Sequence, residues 1–381
     1  MKRMLSIWLA LTLLAAGTGC VSKGGSGGAE SKTIKIAVMD STLVFDSDNS
    51  YENGITMAIE DLNTLYEEQG YEISYEFYND GAIFQQGMDA INKIASDPEI
   101  TAVVGTSSLN LLDVSADVLD GAGKLLITYY SSSDSLFENG YTHVFRNCYG
   151  ESDLGGAIAA YAAARRDVRR VAVYHSDTEY ERGLVRAFLR GSRGSGVEVV
   201  DIVATTPLEA ELDAALERWE ELDVDTVLVS QYLAEDSFEI LRKARAMNPD
   251  MNILGDFSFD YTDDLLANGD VSDDIYIAGP LAVDENPELE KFYQRYEQRY
   301  GSTPTQWAVQ LYDSIRMVAD TAVRIGSTDP TVIAQALREQ RGYVGVGGTL
   351  AFDGKGRLTG RTPRIMVSRD GMFSFLQEGG R

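Results

Sequence analysis

Apolar runs and amphipathic stretches alternate along the chain from Thr33 to Ala278. Short apolar or alternating runs predict strands, and apolar residues that recur every three or four positions predict helices. The first strands are predicted at 34–39, 73–78, 101–105 and 125–128, with helices at 53–68, 85–95 and 111–119. Strands that alternate with helices in this order predict a parallel sheet that is covered on both faces.

A second run of the same kind follows. Its helices are predicted at 153–165, 181–193, 208–221 and 235–247, and its strands at 171–175, 197–203, 226–230, 251–255 and 275–278. Two successive α/β units of more than 100 residues predict two similar lobes rather than one long sheet. After Pro280 the pattern changes to helices at 288–300, 306–325 and 330–338, a turn at 352–358, and closing strands at 349–352, 364–368 and 372–376.

The stretch KLLITYYSSS at 124–133 carries the first indication of a binding site. Its short apolar run ends directly in Ser131, Ser132 and Ser133. This pattern predicts a buried parallel strand that stops at the sheet edge where α/β folds bind small ligands. The alternative is that the three serines only form a solvated turn.

The N-terminal segment has the pattern of an export signal. Lys2 and Arg3 precede the apolar run 5–16, and small residues lead to Cys20. This order resembles a bacterial lipoprotein signal and predicts a signal peptide at 1–19 and a lipid on Cys20. The alternative is a secreted protein with an incidental cysteine. The Gly/Ser-rich residues that follow complete an anchor and flexible linker at 20–32, so we expect an extracytoplasmic, membrane-anchored protein.

Charge and cysteine content narrow the function further. The net charge of −26 repels nucleic acid, and the scattered acidic residues predict a solvated acidic surface. The only cysteines are Cys20 and Cys148. If Cys20 carries a lipid, no intramolecular disulfide can form, and two domain cores must supply the stability.

Common catalytic motifs are absent from the sequence. From Thr33 onward it contains no G-x-G-x-x-G, G-x-S-x-G, H-E-x-x-H or P-loop. His143 and His175 are far apart along the chain, and Cys148 has no His or Asn constellation to pair with. We therefore expect no enzyme activity, no cofactor and no metal site.

With these elements in order, the chain resembles the type I periplasmic binding proteins. Within that family it is similar to the leucine/isoleucine/valine-type solute-binding proteins of ABC transporters. The resemblance covers about residues 33–377 and depends on the order and spacing of several stretches. They are IKIAVM, NGITMAIEDLN, AVVGTSS, GKLLITYYSSSDSLFENGYTHVFR, RVAVYHSDTEYERGL, DTVLVSQYLAEDSFEILRKAR and GTLAFDGKGRL.

The resemblance implies an α/β fold of two lobes, each a mostly parallel sheet flanked by helices, joined by a three-stranded hinge. The ligand would be enclosed between the lobes. Lobe I would comprise 33–147 and 280–347, and lobe II would comprise 148–279 and 348–381.

The resemblance also implies binding residues in lobe I. In the family, serine-rich loops after the third and fourth strands hold the ligand carboxylate with hydroxyls and backbone N–H groups. The matching residues here are Ser107 and Ser108 after the third strand, and Ser131, Ser132 and Ser133 after the fourth.

Lobe II would supply the remaining contacts. Tyr180 and Tyr232 match cleft tyrosines that cover the ligand. Asp256 matches an acid that binds a ligand ammonium, and Asp260 is the second choice.

Aromatic residues distinguish this predicted cleft from the family pattern. Tyr129 and Tyr130 stand where the family has Pro-Gly. With Phe257, Phe259 and Tyr261 they predict a more aromatic cleft and a flatter or larger ligand than an aliphatic amino acid.

These observations predict a monomeric, lipid-anchored binding protein. It would deliver an amino acid or a related small polar solute to an ABC permease after hinge closure. One alternative is a ligand sensor without a transport role. A less favoured alternative is an enzyme on the same α/β scaffold.

Overall fold

The computed structural model describes residues 32–205, 211–260, 262–279 and 286–376. The predicted signal peptide, Cys20 and almost all of the linker lie outside these ranges, as does Tyr261. Within the described ranges, no helix combines the length and apolar character that a membrane span requires.

A five-stranded sheet forms the first unit. Its strands are β1 (Lys32–Asp40), β2 (Tyr71–Asn79), β3 (Ile100–Gly105), β4 (Leu125–Thr128) and β5 (Val144–Arg146). They lie in the order β2-β1-β3-β4-β5, and all neighbours are parallel. The accompanying helices are α1 (Thr42–Ser47), α2 (Ser50–Tyr66), α3 (Phe84–Ser96) and α4 (Leu109–Gly121). Every residue of β4 is buried, because the strand lies between β3 and β5.

A second parallel arrangement follows along the chain. Its strands are β6 (Arg170–His175), β7 (Glu198–Ala204), β8 (Thr226–Ser230), β9 (Asn252–Gly255) and β10 (Ile275–Gly279). Its helices are α5 (Glu151–Ala164), α6 (Glu179–Ser192), α7 (Leu212–Glu221), α8 (Ala234–Met247) and α9 (Thr262–Ala267). The parallel strands lie in the order β10-β9-β8-β6-β7. The chain is therefore built on two sheets, as the pattern predicts.

The remaining elements are shared between the two units. They are α10 (Pro287–Tyr300), α11 (Gln306–Ile325), α12 (Pro330–Glu339), β11 (Tyr343–Gly345), β12 (Gly348–Leu350), β13 (Arg364–Arg369) and β14 (Met372–Phe375). β13 pairs antiparallel with β10, and β14 pairs with β13, which completes a seven-stranded second sheet. β11 and β12 form a separate hairpin that packs on α11.

Helix α11 returns to the first unit and packs against α2. The two helices approach closely at Gly54, where a Cβ atom would lie 2.5 Å from the Ala308 carbonyl oxygen. A salt bridge of 2.7 Å between Arg295 of α10 and Asp61 of α2 adds to this contact. The chain thus passes between the sheets three times: from β5 to α5, from β10 to α10, and from β12 to β13.

The third passage, between β12 and β13, also contacts the first sheet. The Arg146 N–H at the end of β5 donates to the Gly356 carbonyl at 3.0 Å. The lobe boundaries stated above stay a prediction.

Candidate functional site

A cavity of about 240 Å³ lies where the carboxyl end of β4 faces the carboxyl ends of β6, β8 and β9. The first turn of α11 closes a further side. The lining residues are Tyr130, Ser131, Ser132, Cys148, Tyr149, Thr178, Tyr180, Glu181, Gln231, Tyr232, Ala234, Asp256, Phe257, Ser258, Gln306, Trp307 and Gln310. Both sheets and the returning helix therefore contribute to one site, at the strand ends where α/β sheets bind ligands.

Six of the ten residues predicted to bind ligand line this cavity. They are Ser131, Ser132, Tyr180, Tyr232, Asp256 and Phe257. The other four, Ser107, Ser108, Tyr129 and Ser133, are not among the lining residues. Contact with a ligand stays a prediction for all ten.

The loop after β4 is held in place through its carbonyl groups. The Ser132 carbonyl accepts hydrogen bonds from Arg146 Nη1 at 2.9 Å and from the Glu151 N–H at 3.0 Å. The thiol of Cys148 donates to the Ser131 carbonyl at 3.1 Å. Arg146 is itself fixed by a salt bridge of 3.0 Å to Asp134. These contacts position the Ser131 and Ser132 side chains in the cavity wall.

Asp40 organises the residues beneath that loop. Its buried carboxylate accepts hydrogen bonds from the Tyr129 hydroxyl, from the Ser107 N–H at 3.1 Å and from the Ser107 hydroxyl at 2.5 Å. Burial raises the pKa of Asp40, while the hydrogen bonds from Ser107 and Tyr129 oppose that rise. In this structure, Ser107 and Tyr129 therefore donate hydrogen bonds to a carboxylate of the protein itself.

The other two predicted serines have local partners. The Ser108 N–H donates to Thr106 Oγ1 at 3.1 Å, just before α4 begins. The Ser133 hydroxyl is 2.9 Å from the Ser135 hydroxyl, and the Ser133 N–H donates to Ser131 Oγ at 3.3 Å.

Aromatic rings form one wall of the cavity. Tyr130 and Trp307 are stacked, with ring centroids 4.6 Å apart. The buried ring of Tyr129 supports this pair edge-on, at 6.4 Å from Tyr130 and 6.5 Å from Trp307. Phe259 lies elsewhere, in the core of the second unit, 5.3 Å from Phe238. Of the five aromatic residues predicted for the cleft, Tyr130 and Phe257 line the cavity, Tyr129 and Phe259 do not, and Tyr261 lies outside the described residues. The sequence pattern did not indicate Trp307.

Two acidic side chains line the opposite side. Asp256 is 3% exposed; it accepts hydrogen bonds from the Ser230 hydroxyl and from the Ser258 N–H at 2.9 Å. Glu181, also 3% exposed, accepts one from Thr178 Oγ1. Burial raises the pKa of Asp256 and raises that of Glu181 to about 7. The cost of burying these carboxylates would be reduced by a bound positive charge.

Four buried polar atoms of the lining residues have no hydrogen-bond partner. They are the Tyr180 hydroxyl, Gln231 Nε2, Gln306 Oε1 and Gln310 Oε1. Buried polar groups in proteins are almost always satisfied, so unsatisfied groups that converge on one cavity indicate a site for a polar ligand or ordered water.

Several lining residues were not predicted from the sequence. Gln231 directly follows β8 and precedes Tyr232, so its position after a strand could have indicated it. Glu181 is the neighbour of Tyr180 in the first turn of α6. Gln306, Trp307 and Gln310 are distant in the sequence, and only the return of α11 to the first unit brings them to the site.

The histidines and the second acid candidate lie outside the lining. His143 Nδ1 is 3.2 Å from Asp120, and His175 Nδ1 is 2.7 Å from the Ser176 carbonyl. Asp260 is not a lining residue, and burial raises its pKa to about 6.

Burial also raises the pKa of the Cys148 thiol to about 12, which makes it a poor nucleophile. Among the described residues, no group of three or more His, Cys, Asp or Glu side chains is arranged to hold a metal ion.

The sequence profile of the periplasmic binding proteins matches residues 33–371. The chain belongs to this family. Membership agrees with the two-sheet α/β fold and implies a location outside the cytoplasm.

Characterised relatives span nearly the same length. The chain is 26% identical over 352 residues to a Leu/Ile/Val/Thr-binding protein of Salmonella typhimurium, covering 92% of this chain and 94% of that protein. It is 22% identical over 328 residues to a leucine-, isoleucine-, valine-, threonine- and alanine-binding protein of Pseudomonas aeruginosa, covering 86% and 87%.

Solved structures share the fold. A substrate-binding protein of an ABC transporter from Desulfitobacterium hafniense, in complex with Leu, has a TM-score of 0.78 at 24% identity, covering 91% of this chain and 100% of that one. A solute-binding protein from R. palustris, in complex with benzoate, has a TM-score of 0.72 at 16% identity, covering 90% and 95%. At these identities the likeness establishes the type I binding-protein fold alone.

Proposed function

We propose that the protein is the extracytoplasmic solute-binding component of an ABC transporter. It binds an amino acid or a related small polar solute in the cavity between its two units. The observation that carries the proposal is the convergence of both sheets and α11 on one cavity with four unsatisfied buried polar atoms. The names of the relatives, which bind amino acids, support the solute class.

The binding residues proposed are those that line the cavity. Ser131 and Ser132 offer hydroxyls and Asp256 offers a carboxylate. Tyr180, Tyr232 and Phe257 cover the solute from the second unit. Ser107, Ser108, Tyr129 and Ser133 remain proposed contacts whose engagement would need the loops to rearrange.

Ligand capture is proposed to occur by closure of two lobes, 33–147 with 280–347 and 148–279 with 348–381. The three passages between the sheets would serve as the hinge. Asn147, on the first passage, donates to the Gln310 carbonyl and accepts from Arg361 Nη2 at 3.3 Å, so the passages support each other near the cavity.

A thermal-shift screen tests solute binding. The compounds would be amino acids, their amides, short peptides and aromatic acids. A solute at 100 times its dissociation constant stabilises the folded state by about 2.7 kcal/mol, which raises the midpoint by several degrees. If no compound shifts the midpoint, the proposed solute class is wrong.

Delivery to a permease and anchoring through a lipid on Cys20 are further parts of the proposal. Loss of uptake of the identified solute in cells that lack this protein would support transport over a sensor role. Unchanged uptake would favour the sensor. Mass spectrometry of the exported protein would detect a lipid on Cys20, and Cys20→Ala would release the protein from the membrane fraction.

A further inference from the structure

The described ionisable side chains that line the cavity include acids but no lysine or arginine. Glu181 and Asp256 are both buried lining residues, and none of the lining residues described is a lysine or arginine. Arg182, beside Glu181 in the chain, forms a salt bridge of 2.7 Å with Asp177. Among the described residues, neither carboxylate forms a salt bridge, although the charge of Arg182 acts on Glu181. Buried carboxylates without a salt bridge are costly, so the wall favours a ligand that brings positive charge.

The lining groups that could hold a ligand carboxylate are uncharged: the Ser131 and Ser132 hydroxyls, the Tyr180 hydroxyl and Gln231 Nε2. The Ser107 N–H and hydroxyl and the Tyr129 hydroxyl all donate to Asp40. A ligand carboxylate would also share a cavity of about 240 Å³ with Glu181 and Asp256. Carboxylates that share a cavity of this size repel each other strongly, because little water is present to screen their charges.

The aromatic wall suits a cation as well. Tyr130, Trp307, Tyr232 and Phe257 line the same cavity. The faces of aromatic rings carry negative partial charge and attract ammonium groups by about 0.5–2 kcal/mol. The rings also offer apolar surface for the body of a ligand.

We propose that the solute is an organic cation: a small amine or amino-acid amide with an apolar or aromatic body and no free carboxylate. The ammonium group faces Asp256 and Glu181, and the body packs on Tyr130 and Trp307. This inference rests on the proposed function and narrows its solute class. It orders the ligands: amines and amides bind more tightly than the corresponding amino acids, and carboxylates without an amine do not bind.

Isothermal titration calorimetry on the full chain at pH 7.0 tests this order. One series is L-phenylalaninamide, 2-phenylethylamine, L-phenylalanine and 3-phenylpropionate, and a second is L-leucinamide, isopentylamine and L-leucine. We expect the amide and the amine to bind at least tenfold more tightly than the amino acid in the better-bound series. An amino acid that binds as tightly as its amide, or more tightly, overturns the inference and leaves the proposed function standing. If no compound of either series binds, the inference is overturned, and the broader thermal-shift screen decides the proposed function.

Charge variants locate the origin of the preference. We expect Glu181→Gln and Asp256→Asn each to lower the affinity for the amine at least tenfold. The control is Glu179→Gln, which removes the same charge from an exposed position on α6. Its affinity should stay within twofold of the unaltered protein. An equal loss in the control would assign the attraction to the overall charge of −26 and overturn the role of the cavity wall.

Discussion

Trp307, in the first turn of α11, stacks on Tyr130, the second residue after β4, with an angle of 30° between the ring planes. The two residues are separated by more than 170 positions, yet both line the cavity. The contact joins the returning helix to the serine loop and forms the floor on which a ligand would pack.

Trp307 should report ligand binding through its fluorescence. The described residues contain one other tryptophan, Trp219, which is fully buried in the core of the second unit and hydrogen-bonded to Asp201 at 3.0 Å. A solute identified in the thermal-shift screen should change the emission of the unaltered protein. The change should disappear in Trp307→Phe.

The matched control is Trp219→Phe, which should keep the ligand-dependent change while losing part of the total emission. If the change persists in Trp307→Phe and disappears in Trp219→Phe, the ligand does not occupy this cavity.

Much of the fold follows from local sequence patterns. The apolar periods predict each strand of the second sheet within two residues and α11 at its observed bounds, because burial imposes those periods on the sequence. The elements that were not predicted are short. α1 and α9 have six residues each, and β5 and β11 have three each, too few for a period to be visible.

The residues that line the cavity are harder to predict from local sequence patterns than the fold is. Asp256 directly follows β9, Tyr232 lies two residues after β8, and Tyr180 lies in the first turn of α6, five residues after β6. Their place near a sheet edge can therefore be inferred from the sequence. Trp307 and Gln310 begin a helix, and nothing local indicates what that helix will face. Their place depends on how the chain returns after the second unit, which is a property of tertiary packing.

Tyr232→Ala should weaken ligand binding about tenfold. Tyr232 lines the cavity although its side chain is 76% exposed, and its N–H is fixed by Ser176 Oγ at 3.0 Å. A ring that covers the ligand would contribute of the order of 1 kcal/mol, mainly by slowing dissociation. Stopped-flow measurement of the dissociation rate checks this.

Leu233→Ala provides the comparison for Tyr232. Leu233 is the next residue, is 53% exposed and does not line the cavity. Its replacement should leave the dissociation rate unchanged. Equal effects of the two replacements would mean that the loop as a whole, not the tyrosine ring, controls release.

Tyr129→Phe should lower the stability of the unliganded protein. The substitution removes the hydroxyl that donates to the buried Asp40 carboxylate. Loss of a hydrogen bond to a charged buried group costs about 1–3 kcal/mol, which urea unfolding would measure. Unchanged stability would contradict the structural role of this hydrogen bond, and a weaker affinity for the solute would support Tyr129 as a ligand contact.

Stability without ligand should fall as the pH rises from about 4.5 to about 7. Burial raises the pKa of Glu181 from 4.5 to about 7, and raises that of Glu151 to about 7 as well. In this window the folded protein holds protons that the unfolded chain has released, so increasing pH favours unfolding. Urea unfolding at pH 5 and pH 8 measures the difference.

Glu181→Gln should remove part of this pH dependence. Glutamine can still accept the hydrogen bond from Thr178 but carries no charge to bury. Above pH 7 the variant should be more stable than the unaltered protein, by up to about 3 kcal/mol for a shift of this size. Below pH 4.5 the advantage should vanish, because Glu181 is then protonated in both the folded and the unfolded state.

Glu179→Gln, exposed on the same helix, should show no such gain. Identical pH dependence of the Glu181→Gln variant and the unaltered protein would show that Glu181 ionises in the folded state without a burial cost.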